Sequence, residues 1–193
     1  VFHFEESLPQ SYQFLKACVN KGVSHVLAVG TCFEYGFRSG PIAPNVNPNP
    51  NNPYGFAKDA LRRQLEFLSR QIPFCLQWAR LFYVYGEGQS SSSILSQLDR
   101  AINENQSVFD MSGGEQIRDY LSVQLAAQQL FDLHAVKLQG VFNICSGKPI
   151  SIRRLIEERL LQQDCDITLN LGCHPYPDYE PMAFWGVKQD FEK

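Results

Sequence analysis

Three residues have the types and spacing for proton transfer: Thr31, Tyr54 and Lys58. Tyr54 and Lys58 are four positions apart, so a helix places them on one face. A free tyrosine has a pKa near ~10 and is a poor base at neutral pH. A lysine cation a few ångströms away favours the phenolate and is expected to lower the pKa of Tyr54. Tyr54 can then give or take the proton of a substrate hydroxyl or carbonyl, while Thr31 hydrogen-bonds the same oxygen. Tyr-x-x-x-Lys alone is a common helical pairing, so the surrounding elements must decide between the two readings.

Residues 26–29, Val-Leu-Ala-Val, read as a buried strand of a parallel sheet that opens at Gly30. Thr31 then sits at the strand's carboxyl end, where open α/β sheets place ligands. Pro53 suits a first helical turn, and the helix from Tyr54 to about Gln71 buries Leu61, Leu65 and Leu68. Upstream, residues 6–21 are predicted helical, with Ser7 as cap, Leu8, Tyr12, Leu15 and Val19 on one face, and Gly22 as terminator. Residues 37–53, rich in Pro, Asn and Gly, read as a loop. Residues 74–82 read as the next strand, and 83–89 as a loop at the same sheet edge. Helices are expected over 94–105, 122–137 and from a Ser151 cap to Gln163. Strands are expected over 108–111, 140–146 and 167–171.

These motifs resemble the extended short-chain dehydrogenase/reductase family, which includes sugar-nucleotide epimerases, dehydratases and ketoreductases. The residues carrying the resemblance are Thr31 five positions before Gly36, the Tyr35-Gly36 pair, and Tyr54/Lys58 about two dozen positions on. Arg80 leading to Tyr85-Gly86, and Arg118-Asp-Tyr-Leu-Ser-Val123, add to it. The resemblance implies a Rossmann-type doubly wound parallel sheet with a small mixed α/β substrate lobe. Residues 1–85 would belong to the dinucleotide domain, joined by a strand at 139–146, and 86–193 mainly to the lobe. It implies NAD or NADP as cofactor and a nucleotide-linked sugar as substrate. Thr31, Tyr54 and Lys58 would be catalytic, with Tyr54, Lys58 and Phe82 against the cofactor. Cys32, Phe33, Arg118 and Tyr179 would meet the substrate. Arg118 suits a diphosphate because a guanidinium makes paired, charge-assisted bonds to phosphate oxygens; the plain alternative is an internal Arg118–Asp119 salt bridge.

Within the family, Gly30-Thr-Cys-Phe-Glu-Tyr-Gly36, Met111-Ser-Gly-Gly-Glu-Gln116 and the aromatic, Pro-rich segment 175–186 resemble 4-keto-6-deoxyhexose reductases. Dehydratases of the family carry Asp-Glu after the threonine, where Cys32-Phe33 stands here, so dehydration is not expected. Tyr83 replaces a frequent asparagine, and Gln124 a frequent aspartate. A 4-epimerase is the alternative reaction. The rival class is a non-catalytic sugar-nucleotide-binding remnant, because the chain holds no G-x-G-x-x-G or G-x-x-G-x-x-G phosphate loop. In the resembled family that loop opens the chain and about three βα steps, roughly 80 residues, precede the point corresponding to Val1.

Composition narrows the classes further. With 193 residues and 44% apolar content the chain can bury a sizeable core. Its net charge of −3 and the isolated Arg62-Arg63 and Arg153-Arg154 pairs argue against a nucleic-acid surface. No apolar run reaches membrane-spanning length and no signal peptide is evident, so a cytoplasmic setting without a membrane partner is expected; a homodimer is one assembly this allows. The six cysteines lack a C-x-x-C and read as reduced thiols. Cys165, Cys173 and His174 match no standard zinc spacing, and no metal is expected.

Overall fold

The computed structural model describes residues 2–178 and 180–191. A five-residue π-helical turn, His3–Ser7, leads into α1 (Leu8–Asn20) and β1 (His25–Thr31). A 3-10 turn, Cys32–Tyr35, is followed by β2 (Gly40–Ile42), α2 (Pro53–Gln71), β3 (Cys75–Leu81) and β4 (Tyr83–Tyr85). Next come α3 (Ile94–Asn103), β5 (Val108–Met111), β6 (Ile117–Arg118), β7 (Tyr120–Ser122), α4 (Val123–Val136) and β8 (Gly140–Ile144). The chain continues through β9 (Ile150–Ser151), α5 (Ile152–Gln162), β10 (Thr168–Leu171) and β11 (Phe184–Gly186).

The main sheet is parallel, in the order β1-β3-β8, with Thr31 opposite Leu81 and Arg80 opposite Asn143. Strand alternation sorts its side chains to two faces. Val26, Ala28, Leu76 and Trp78 pack with α1 and α2 through Val19, Leu61, Leu65 and Leu68. Ala79, Phe142 and Ile144 pack on the other face with Ala126 and Leu133 of α4. Helices on both faces of parallel strands give the doubly wound α/β arrangement that the family resemblance implied. A separate cluster joins α3, α5 and β5 through Leu98, Met111, Ile156 and Leu160, with Leu169 of β10 packed against it.

Three local expectations are corrected. Ser7 makes no side-chain cap, because its own backbone is helical and the π-helical turn continues the helix toward the N-terminus. The segment 37–53 is not all loop: β2 pairs in parallel with β11, so Gly40 lies opposite Phe184. Likewise β4 breaks the expected 83–89 loop by pairing with β7. Both pairings draw their free-energy gain from distant strands, which local periodicity does not report. Among the described residues no helix is long and apolar enough to cross a membrane.

Candidate active site

The carboxyl end of β1 is held by a buried carboxylate. Glu34 accepts from the Thr31 backbone N–H at 2.8 Å, while the Thr31 hydroxyl accepts from the Phe33 N–H at 3.3 Å. This reciprocal capping box turns the chain sharply out of the strand. Glu34 also accepts from Trp78 Nε1 at 3.0 Å and from Arg80 Nε at 2.7 Å, and it is fully buried. Burial pushes its carboxyl pKa up; Arg80 and the Thr31 N–H oppose that shift. Thr31 is thereby fixed by an ion pair on the helix-covered face of β3.

Tyr54 reaches Thr31 because α2 starts against this turn. Asn52 caps the helix, its Oδ1 accepting from the Gly55 N–H at 2.8 Å, and Pro53 occupies the first turn. A Cβ at Gly55 would lie 2.5 Å from the Phe33 carbonyl oxygen, so the contact between helix and turn requires a residue without one. The Tyr54 ring then stands between His3, at 5.4 Å, and Phe33, at 6.4 Å between centroids. Burial raises the pKa of the phenol, and a hydrogen bond with Thr31 pulls it down without overcoming burial.

That result corrects the expected lowering by Lys58. The Lys58 ammonium lies 6.0 Å from the Tyr54 ring centroid and donates to the Val29 carbonyl at 3.0 Å. It is engaged with the strand backbone rather than with the phenol oxygen, so desolvation decides the shift of Tyr54. Burial lowers the pKa of Lys58 itself, opposed by the charge of Glu34. A cleft lined by His3, Ser7, Ser11, Tyr54 and Lys58 runs beside the pair.

Cys32 and Phe82 behave differently from the expectation. Both are buried with Tyr35, Cys145 and Phe184, and Phe82 stacks on Phe184 at 5.4 Å. Burial drives the Cys32 thiol pKa far up, so it is not a nucleophile. Neither side chain lines the cleft beside Tyr54. Phe33 does bridge two regions, since its ring meets Tyr54 and also Tyr83, at 6.2 Å.

The Tyr83 ring leads to Arg118, whose guanidinium lies 5.7 Å from its centroid. Arg118 is 1% exposed and ion-pairs with Glu180 at 2.8 Å. The alternative Arg118–Asp119 pair does not form: Asp119 instead accepts from the Ser146 and Gly147 N–H groups at 2.7 and 2.9 Å. Tyr179 lies outside the described residues. Thr31, Tyr54, Lys58 and Phe33 are therefore brought together, and Arg118 is linked to them through Tyr83. Glu34, Asn52, His3 and Glu180 are the neighbours that sequence reasoning did not assign. The capping-box spacing Thr31-x-x-Glu34 and the Asn52-Pro53 start were available signals for the first two. A larger concavity, about 800 Å³, lies between α3 and α5, and none of these residues lines it.

The profile of the NAD dependent epimerase/dehydratase family matches residues 4–145. The chain belongs to that family. It is 34% identical over 178 residues to dTDP-6-deoxy-L-talose 4-dehydrogenase (NAD(+)) of Aggregatibacter actinomycetemcomitans, covering 92% of this chain and 66% of that protein. It is 29% identical over 133 residues to GDP-6-deoxy-D-mannose reductase of Pseudomonas aeruginosa, covering 61% and 40% respectively. The solved UDP-N-acetylglucosamine 4-epimerase of Methanobrevibacter ruminantium M1, in complex with UDP-N-acetylmuramic acid, superposes with a TM-score of 0.78 at 25% identity, over 92% of this chain and 59% of that one. The chain thus spans about two thirds of the first curated relative and less of the second. The expected family and the Rossmann-type α/β fold class are both found.

Proposed function

We propose that this chain carries the proton-transfer and sugar-nucleotide side of an NAD(P)-dependent 4-keto-6-deoxyhexose reductase. The observation that carries the reading is the packing of Tyr54 against Phe33, in the turn that follows Thr31, with Lys58 on the same helix donating to the Val29 carbonyl of β1. A phenol with its pKa at or above the ordinary value is protonated at neutral pH and suited to give a proton to a carbonyl oxygen. Thr31 would hold that oxygen, and the capping box would keep the threonine in place. Two relatives with 6-deoxy-sugar names, a 4-dehydrogenase and a reductase, support oxidation–reduction at a deoxyhexose.

The chemistry of the residues present suits the nicotinamide end of the cofactor: a phenol at the start of α2, and an ammonium on the same helix that donates to the β1 carbonyl of Val29. Tyr54 and Lys58 would border it. NAD(P) would supply the hydride equivalent for the ketone carbon when bound. Tyr54 would deliver the proton to the oxygen, and Lys58, fixed by Val29, would meet ribose hydroxyls. Arg118 would meet the substrate diphosphate. The pyrophosphate end of the cofactor has no glycine-rich loop within these 193 residues.

A specific observation also favours keeping the 4-epimerase reading: the epimerase structure superposes over 92% of the chain. The test is incubation of the full-length protein with NADPH or NADH and dTDP- or GDP-4-keto-6-deoxyhexose. Stoichiometric cofactor oxidation with formation of the deoxyhexose supports the reductase. Interconversion of 4-epimers of UDP-, dTDP- or GDP-sugars without net cofactor consumption would replace it by the epimerase.

A further inference from the structure

Arg118 is not an empty anion receptor. Its Nη2 donates to Glu180 at 2.8 Å, and its Nη1 donates to the carbonyls of Ile117 at 2.9 Å and Met182 at 3.4 Å. The guanidinium lies 5.7 Å from the centroid of the Tyr83 ring, and burial pushes up the pKa of the Tyr83 phenol, helped by the Glu180 carboxylate. Glu180 comes from 62 positions downstream of Arg118 and is held there by its neighbours. The Ile117 N–H donates to the Met182 carbonyl at 2.7 Å, and the Gly40 N–H donates to the Ala183 carbonyl at 2.8 Å. The Glu180 side chain is 16% exposed, against 1% for Arg118, so solvent reaches the arginine only past the carboxylate.

We infer that Glu180 is a built-in competitor at the anion subsite: it occupies Arg118 in the free protein, and an anion that takes the guanidinium must displace it. This rests on the reading that Arg118 meets the diphosphate. The physical reason is competition on one guanidinium. A carboxylate presents two oxygens and one charge; the bridged phosphates of a nucleoside diphosphate sugar present more acceptors over a wider span, each making a charge-assisted bond. A built-in competitor therefore lowers the affinity of every anion that must displace it by the same factor, so that only anions of high intrinsic affinity bind at working concentrations. Tyr83, in place of the asparagine frequent in the resembled family, assists by holding the carboxylate in register.

The test uses inorganic pyrophosphate and inorganic phosphate, which probe the subsite independently of base and sugar, with calorimetric titration of the full-length protein. Glu180→Gln should tighten both. The gain should be about tenfold, the size of one hydrogen bond to a charged group, and similar for the two anions, because both displace the same carboxylate. Tyr83→Phe, which keeps the ring and removes the phenol beside Glu180, should shift both in the same direction by less. Unchanged or weaker binding of both anions to Glu180→Gln would overturn the inference, making the residue a structural partner or a direct ligand contact. Pyrophosphate binding that Arg118→Lys leaves intact would instead overturn the assignment of Arg118 on which the inference stands. If neither anion binds the wild type or any variant, both fall.

Discussion

The corner around Thr31 and the anion subsite around Arg118 are built in opposite ways. The first is made from a strand end, a turn and a helix start within residues 29–58, shaped by two short-range caps, Thr31 with Glu34 and Asn52 with Gly55, and buttressed from β3 by Trp78 and Arg80. The second gathers residues 33, 83, 118, 120 and 180 through aromatic contacts and one ion pair. Short-range geometry makes the first rigid and open to the cleft. Long-range assembly leaves the second with its cation already matched by an internal carboxylate. On the proposed roles, the chain would hold its proton-transfer group ready while its anion site would open only when a ligand displaces Glu180.

The sharpest way to break this comparison is at Tyr54. Tyr54→Phe should cut turnover on the order of 10²–10⁴ and leave the KM for the sugar nucleotide nearly unchanged, because proton transfer occurs only in the transition state. Steady-state kinetics check this, and wild-type turnover would remove Tyr54 from the mechanism. Next in size is the support beneath Thr31. Arg80→Met leaves Glu34 buried without its cation and should cost about 3–5 kcal/mol of stability, read by denaturant unfolding. An unchanged midpoint would show that the capping box does not depend on the pair.

Gly55→Ala should be milder. The added methyl meets the Phe33 carbonyl, so α2 must shift, at about 1–3 kcal/mol. Turnover should fall more than this stability loss explains, since Tyr54 moves away from Thr31; equal activity at equal Tm would show that the approach is not required. At the other region, Arg118→Lys should weaken sugar-nucleotide binding about tenfold, because a point charge cannot reproduce the paired geometry. A drop in Tm with unchanged Kd would assign Arg118 to packing alone.

The smallest effect concerns pH. Burial holds the Tyr54 pKa above its ordinary value, so the phenol stays protonated through neutral pH. Carbonyl reduction needs the protonated form, and its rate should stay level from neutral into mildly alkaline solution. Alcohol oxidation needs the phenolate, and its rate should climb with pH over the same range. A reduction rate that falls sharply between neutral and mildly alkaline pH would mean that Lys58 lowers the Tyr54 pKa in the working complex after all.

The sequence by itself determined the elements of the first region. The apolar run before Gly30, Pro53 at a helix start and the four-residue step from Tyr54 to Lys58 all act through local backbone geometry, which is encoded within a few residues. It also determined the α/β class, because alternation of strand and helix periods is a local signal. Only the tertiary structure decided the electrostatics. The shift of Tyr54 follows from burial and from where the Lys58 ammonium finds its acceptor, at Val29. The burial of Cys32 and Phe82 follows from the β2–β11 pairing that brings Phe184 against them. The partner of Arg118 is Glu180 rather than adjacent Asp119, because Asp119 is taken by two backbone N–H groups of the Ser146-Gly147 turn. Solvent exclusion and long-range pairing depend on how the whole chain packs, and no spacing rule within one segment carries that information.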